Sequence, residues 1–341
     1  MTSLTHDTAR ASRLGGIGFA LLSATAFGLS GSLARGLLDA GWTAGAATLA
    51  RVLIAAIVLA GPAIVTMRGR WALMRRAAGT IVAYGVFAVA GAQLFYFLAV
   101  GTLDVGVALL VEYMAPVIVI GYLWIVQGSR PGVLTLAGAG LALAGLALLL
   151  DLFGGSVSID LVGVGWALLA MVGAAVYFVI SADTSTGLPP VALAWGGLVL
   201  ATAMLALAGV AGILPMTFTA NEVHLLPFTV PAWLVVLALG AISGAVSYVA
   251  GIAATRRLGA RLGSFVALFE VIAAAGFAWL FIGQVPAPIQ FGGAALILAG
   301  VVLIRLGEPA EPAVAHEVEP GMPLAVDEPV DGPREPLPAA A

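Results

Sequence analysis

The chain has no cysteine and no lysine. The first absence excludes disulfides, thiolate metal sites and cysteine nucleophiles. The second removes the lysine of a G-x-x-x-x-G-K-[ST] phosphate loop, so ATP is not an energy source within this chain. Histidine occurs only at His6, His224 and His316, outside every long apolar run, which excludes a histidine metal site within those runs. No H-E-x-x-H is present either. Charge is the scarcest commodity: 9% of the 341 residues are charged, against roughly 25% in a soluble globular domain. So few charges cannot cover a soluble protein of this size, whereas lipid solvates an apolar exterior. What is abundant fits that solvent, with 62% hydrophobic residues and 44 glycines, which membrane helices use at close contacts.

A spanning helix needs about 20 predominantly apolar residues. Ten stretches qualify: 16–37, 44–66, 78–99, 105–126, 133–152, 161–181, 191–212, 231–254, 263–282 and 287–305. They are too long, and alternate too little, for strands. All 14 basic residues are arginine, a usage expected of a GC-rich bacterial genome. With the N-terminus in the cytoplasm, ten spans place every arginine inside except Arg35 and Arg51, which lie within spans. Nine or eleven spans would spoil this pattern. The expected location is a bacterial inner membrane with both termini cytoplasmic. The first run is longer than a signal core of about 7–15 residues and is expected to be retained.

Residues 307–341 hold eight acids and one base, Arg334; the remainder has 13 arginines against nine acids. This Pro- and Glu-rich tail is expected to be disordered. No clustered basic face suggests nucleic-acid binding.

Two stretches match at an offset of 155 residues, GSRPGVLTLAGAGLALAG (128–145) and GQVPAPIQFGGAALILAG (283–300). Gly128 meets Gly283, Pro131 meets Pro286, Gly138 meets Gly293 and Gly145 meets Gly300. Upstream, Ala115 falls opposite Glu270, with Glu112 one turn away on the same face. A unit of five spans is odd, so a second copy enters the membrane upside down. The expectation is an all-α polytopic membrane protein of two inverted five-helix repeats, 16–152 and 161–306, followed by the tail. Inverted repeats suit alternating access, because exchanging the conformations of the halves exchanges the openings.

These features, with YFLAVGTLDVGVALLVEYMAPVIV (96–119) and the run from Gly251 to Leu306, resemble the EamA branch of the drug/metabolite transporter superfamily. The VALLVEYMAP stretch is similar to threonine and homoserine exporters. The resemblance implies ten helices, a cavity between the halves, and transport of amino acids, other metabolites or drugs, often outward. Members often carry Glu after the glycine that follows the ninth span; here Gln284 stands there, and Ser129 in the first half.

Ionisable groups inside a span cost roughly 2.5–3.5 kcal/mol at its centre on insertion scales. Arg51, Glu112 and Glu270 are retained there and are the first candidates for substrate binding or coupling. Arg51 and Glu112 lie at equal depth, about 11 Å below the outer boundary. They are expected to pair, either as a fixed ion pair or as a charged site that grips a zwitterion; Arg51 snorkelling toward headgroups is the third reading. Glu270 has no cation at the matching place in span seven, near Leu198. It is a candidate to load a proton on one side and release it on the other, or a protonated group bonded to a backbone carbonyl. Gln93, Tyr96, Tyr113, Trp166, Tyr177 and Tyr248 complete the expected lining. Each is also readable as helix packing. Arg35 and Asp39 are expected to form a local i, i+4 pair.

The expected partners are a small-molecule substrate, protons and the lipid bilayer; no cofactor or metal is implied. Isolated carboxylates without histidine do not make a nucleophile and base, so an enzyme is not expected. A lipid or polyprenol-linked flippase on the same scaffold, or a non-transport membrane protein, are the alternatives.

Overall fold

The computed structural model describes residues 2–100, 111–149, 160–226, 228–283, 285 and 287–307. Helix α1 is Thr2–Asp39 and α2 is Ala44–Met67, capped by Thr43, whose side chain accepts from the Ala46 amide. A short helix, Trp71–Arg76, leads into α3, built from Ala78–Ala83, a π-helical stretch Tyr84–Gly91 and Ala92–Val100. Next come α4 (Ala115–Gln127), α5 (Val133–Leu149), α6 (Leu161–Ala182) and α7 (Pro190–Val210). Asp160 caps α6 by accepting from the Val162 and Gly163 amides, and α7 starts on a proline, whose missing N–H costs nothing there. Strands β1 (Glu222–Leu225) and β2 (Phe228–Pro231) form an antiparallel hairpin, Val223 opposite Val230. Helix α8 runs through Ala232–Gly240, a π-helical stretch Ala241–Val246 and Ser247–Val266. Then follow α9 (Phe269–Ile282) and α10 (Pro288–Gly307).

Among the described residues, six stretches are long and apolar enough to cross a membrane: Gly15–Asp39, Ala44–Met67, Ala78–Tyr96, Leu161–Ala182, Pro190–Val210 and Ala232–Val266. Four shorter apolar helices, Ala115–Gln127, Val133–Leu148, Phe269–Phe281 and Phe291–Ile304, stand where the other expected runs lie. Two of them are short for a visible reason. The run expected over 105–126 turns at Tyr113–Met114, just before Pro116, and the run expected over 263–282 turns at Ala267–Leu268. The boundary between the eighth and ninth expected runs also moves. Instead of a loop after residue 254, helix continues to Val266, with the backbone leaving helical geometry only at Gly259.

The repeat is visible in detail. Helices α4 and α9 both end on a left-handed glycine, Gly128 at φ 69° and Gly283 at φ 75°, 155 residues apart, a conformation that a Cβ would penalise. The turns at 113–114 and 267–268, and the π-helical stretches of α3 and α8, also fall at corresponding places. Packing follows the same rule. Helix α5 pairs with α10 and α2 with α7; α3 lies on α6 as α8 lies on α1; α1 lies on α9 as α6 lies on α4; α2 lies on α8 as α7 lies on α3. Advancing every label by five turns these pairings into one another, whereas the α6–α8 packing has no comparable image between α1 and α3 among the described residues.

The α5–α10 seam is the tightest instance. A Cβ at Gly138 would lie 2.6 Å from the Gly300 carbonyl oxygen, and one at Gly145 would lie 2.6 Å from that of Gly293. Shifting 138 and 145 by 155 gives 293 and 300, so each contact is the image of the other. Since 138 meets 300 while 145 meets 293, the two homologous helices run antiparallel.

The hairpin closes one end of the bundle. Val223 and Leu225 are buried against α1, packing on Gly36 and into a cluster with Leu33, Leu37 and Val235. Thr219 Oγ1 and Asn221 Nδ2 both donate to the Ala40 carbonyl, and Trp42 Nε1 donates to that of Thr219. Trp42 is thus fastened to this loop as well as sitting at a helix end. The expected Arg35–Asp39 pair forms beside it, at 3.0 Å.

Candidate functional site

A cavity of about 240 Å³ lies between α1, α2, α3, α4, α6, α8 and α9. Its lining includes part-exposed Ser30 and Ala34 and exposed Gly31 on α1, and buried Thr255, Gly263 and Ser264 on α8. Both helix breaks face it: Glu112, Tyr113, Ala115 and Pro116 line it from one, Ala267, Glu270 and Val271 from the other. Each break starts a new helix at the cavity wall. Turn bonds take up the Val117, Glu270 and Val271 amides, and Pro116 has none, so what the two breaks turn toward this region is the positive end of each helix dipole.

Arg51 is 7% exposed. Its Nη2 donates to the Ser243 carbonyl at 2.8 Å and its Nη1 to Gln93 Oε1 at 3.3 Å, and the guanidinium lies 5.5 Å from the Phe27 ring centre. Ser243 sits in the π-helical stretch of α8, where the wider turn displaces carbonyls from the regular ladder; its oxygen also accepts from Ser247 Oγ. The bulge thus supplies the acceptor that holds the arginine. Arg51 Nε is buried and has no hydrogen-bond partner among the described residues.

The expected Arg51–Glu112 ion pair does not form. Among the described residues the one ion pair is Arg35–Asp39, and Arg51 is satisfied by Gln93 and Ser243 instead. Equal depth in a bilayer fixes height only; the turn after Glu112 changes the direction in which that carboxyl points. Glu270, in the first turn of α9, faces the Tyr113 hydroxyl within hydrogen-bonding reach. That contact joins the two helix breaks directly.

Of the other expected residues, Gln93, Tyr96, Tyr177 and Tyr248 line the cavity, and Tyr248 stands edge-on to both Phe27 and Tyr177. Trp166 does not line it; it stacks on Phe95 at 5.7 Å and packs beside Ala99 and Ala167. Gln284 lies outside the described residues.

Helix α1 is the wall that sequence reasoning missed. Ser23, Phe27, Ser30 and Gly31 line the cavity, and Ser23 Oγ donates to the Ser247 carbonyl at 2.8 Å. Their i, i+4, i+7, i+8 spacing, small or polar in an apolar run, was the available signal.

The second half offers no counterpart of Arg51. A Cβ at Gly240 would meet Ile54 and the Arg51 carbonyl, while one at Gly85 would meet Leu200 and the Gly197 carbonyl. Gly197, one residue from the expected Leu198, therefore stands where Arg51 stands in the first half.

Arginines of α8 tie neighbouring elements together beside Thr255 and Gly263. Arg261 Nη2 donates to Ser129 Oγ at 2.9 Å and to its carbonyl at 3.2 Å, tying α8 to the α4–α5 connection. Arg256 Nη1 donates to the Leu188 carbonyl before α7, and Arg257 lies 4.5 Å from the Phe19 ring centre on α1.

No curated protein matches the chain. One solved crystal structure, described only as that of a protein, is similar over 87% of this chain and 98% of its own, with a TM-score of 0.67 at 21% identity, which shows a shared fold. The model of the EamA-like transporter family matches residues 14–151 and, a second time, residues 161–306. The protein is a multi-pass membrane protein, and it belongs to the EamA-like transporter family, carrying that family's unit twice.

Proposed function

We propose that the chain is a secondary transporter that exports a small zwitterionic metabolite, an amino acid or a related compound, across a bacterial inner membrane by alternating access. The observation that carries this reading is a mainly apolar cavity at the meeting point of two corresponding helix breaks, with Arg51, Glu112 and Glu270 in its wall. Broken helices whose free ends face a midplane cavity are how membrane transporters build binding sites without exposing backbone to lipid. In this reading the chain crosses ten times and the second five helices invert the first; the antiparallel α5–α10 seam and the corresponding helix pairings support it.

Arginine placement puts the Gly69 end in the cytoplasm and the Asp39 end outside. With part-exposed Ser30 and exposed Gly31 in its wall toward the Asp39 end and the Arg256 and Arg261 bonds toward the other, the cavity is read as the outward-facing state from which an exporter releases its cargo. The Arg51 guanidinium, in the cavity wall, receives the carboxylate of the substrate. The aromatic wall and Glu112 receive its ammonium. Glu270, held by Tyr113 at the junction of the breaks, carries the coupling proton.

The test is transport in proteoliposomes against a panel of amino acids and related metabolites, with and without a pH gradient. Saturable flux of a zwitterion that Arg51→Gln abolishes is the expected result. A panel in which no zwitterion competes, or flux indifferent to Arg51→Gln, would sink the proposal.

A further inference from the structure

The connection between α2 and α3 carries four arginines, Arg68, Arg70, Arg75 and Arg76, within nine residues. All four are exposed, and none has a carboxylate within ion-pair distance among the described residues. The segment is nonetheless anchored. Leu73 and Met74 turn inward and pack against the core cluster around Ile81 and Tyr84, and Met74 also touches Gly196. Trp71, 42% exposed, stands edge-on to Trp195 on α7 at 6.3 Å.

With the apolar side of the segment fixed inward, its guanidinium groups are held outward beside a tryptophan pair. Tryptophan pairs of this kind mark the headgroup level of a bilayer. A charge needed only to orient the chain requires no such mounting. The corresponding connection of the second half, 211–231, has no arginine and carries the hairpin instead.

We propose that Arg68, Arg70, Arg75 and Arg76 form a binding plate for the phosphodiester headgroups of anionic phospholipid. Guanidinium forks match phosphate oxygens in geometry and charge, and a cluster of four or more beside a spanning helix attracts acidic lipid within a Debye length. The plate is wired to the cavity wall. Trp71 bears on Trp195, Met74 on Gly196, and Gly197 receives the Tyr84 ring at the start of the π-helical stretch in α3. Bound headgroups therefore stiffen the α2–α3–α7 corner.

The experiment measures lipid retention by the full chain in nanodiscs and its thermal stability. Phosphatidylglycerol in phosphatidylcholine is compared with phosphatidylcholine alone, at low and high salt. Wild type is expected to retain and be stabilised by phosphatidylglycerol, with loss at high salt. Each arginine-to-glutamine change should weaken retention about fivefold, and the four together should abolish the preference. The four arginine-to-lysine changes should keep most of it, which separates charge from folding. Arg130→Gln, an exposed arginine elsewhere, should leave the preference intact. The proposal is overturned if the fourfold glutamine variant retains phosphatidylglycerol like wild type, if Arg130→Gln weakens it equally, or if inorganic phosphate stabilises the protein as well as the lipid does. Because none of these readouts uses transport, they stand or fall separately from the transport reading.

Discussion

Replacing Gly138 by alanine tests the antiparallel seam directly. The new methyl carbon would sit 2.6 Å from the Gly300 oxygen and 2.8 Å from the Ile304 nitrogen, both backbone atoms that cannot rotate away. Even favourable C–H···O contacts need about 3.3–3.6 Å, so α10 must retreat by about 0.7–1 Å. Overpacking of this kind costs about 1–3 kcal/mol. Alanine also favours helix over glycine, which offsets part of the loss. Gly140→Ala, on the same helix with nothing within 4 Å of its Cβ, supplies that correction. The difference between the two variants, read from unfolding in mixed detergent, isolates the clash. Gly145→Ala meets Gly293 at the same 2.6 Å and should behave alike. The double variant should cost less than the sum, because one retreat of α10 relieves both contacts. Equal stability of Gly138→Ala and Gly140→Ala would refute the seam.

Four further outcomes follow from the site and the topology. Arg51→Met strips the Ser243 carbonyl of its charged donor inside the bundle and should cost about 1–3 kcal/mol of stability, measured by thermal unfolding in detergent. Arg261→Gln releases α8 from Ser129 and should raise cytoplasmic labelling of a cysteine at Thr255 roughly tenfold or more, the factor expected for a lost charged hydrogen bond. Glu270→Gln should abolish uptake driven by a pH gradient into vesicles while leaving counterflow; unchanged pH dependence removes it as the coupling group. Cysteines at Asp39 and Phe218 should react with an impermeant reagent from the periplasmic side and one at Gly69 should not, the reverse pattern inverting the topology.

Much of the scaffold was legible because glycine and proline leave marks that do not depend on packing. Gly128 and Gly283 end helices wherever they stand, and their spacing set the repeat before any contact was known. The ionisable trio was legible for the converse reason, since lipid makes any retained charge conspicuous. What stayed hidden depends on direction. The π-helical stretches of α3 and α8 arise from how these helices seat on their neighbours, and no local sequence signal announces them. Without the bulge there is no free Ser243 carbonyl, so the true partner of Arg51 could not be read. Depth along a helix suggested Glu112 instead. Matching Arg51 to Leu198 missed by one residue because the seventh run was begun at 191, whereas α7 begins at Pro190 and its eighth residue is Gly197. The Ser23–Phe27 face of α1 was overlooked because serine and phenylalanine are unremarkable in an apolar run.

The arginine braces bear on the resting balance of the molecule. A chain with perfect twofold character would occupy its two closed forms equally, each being the other turned over. Arg256 and Arg261 fall 155 positions after Gly101 and Gly106, residues with no side chain to latch anything. On the proposed transport reading, the bonds that Arg256 and Arg261 make must open before the cavity can face their side, so weakening them shifts the unloaded protein toward that form.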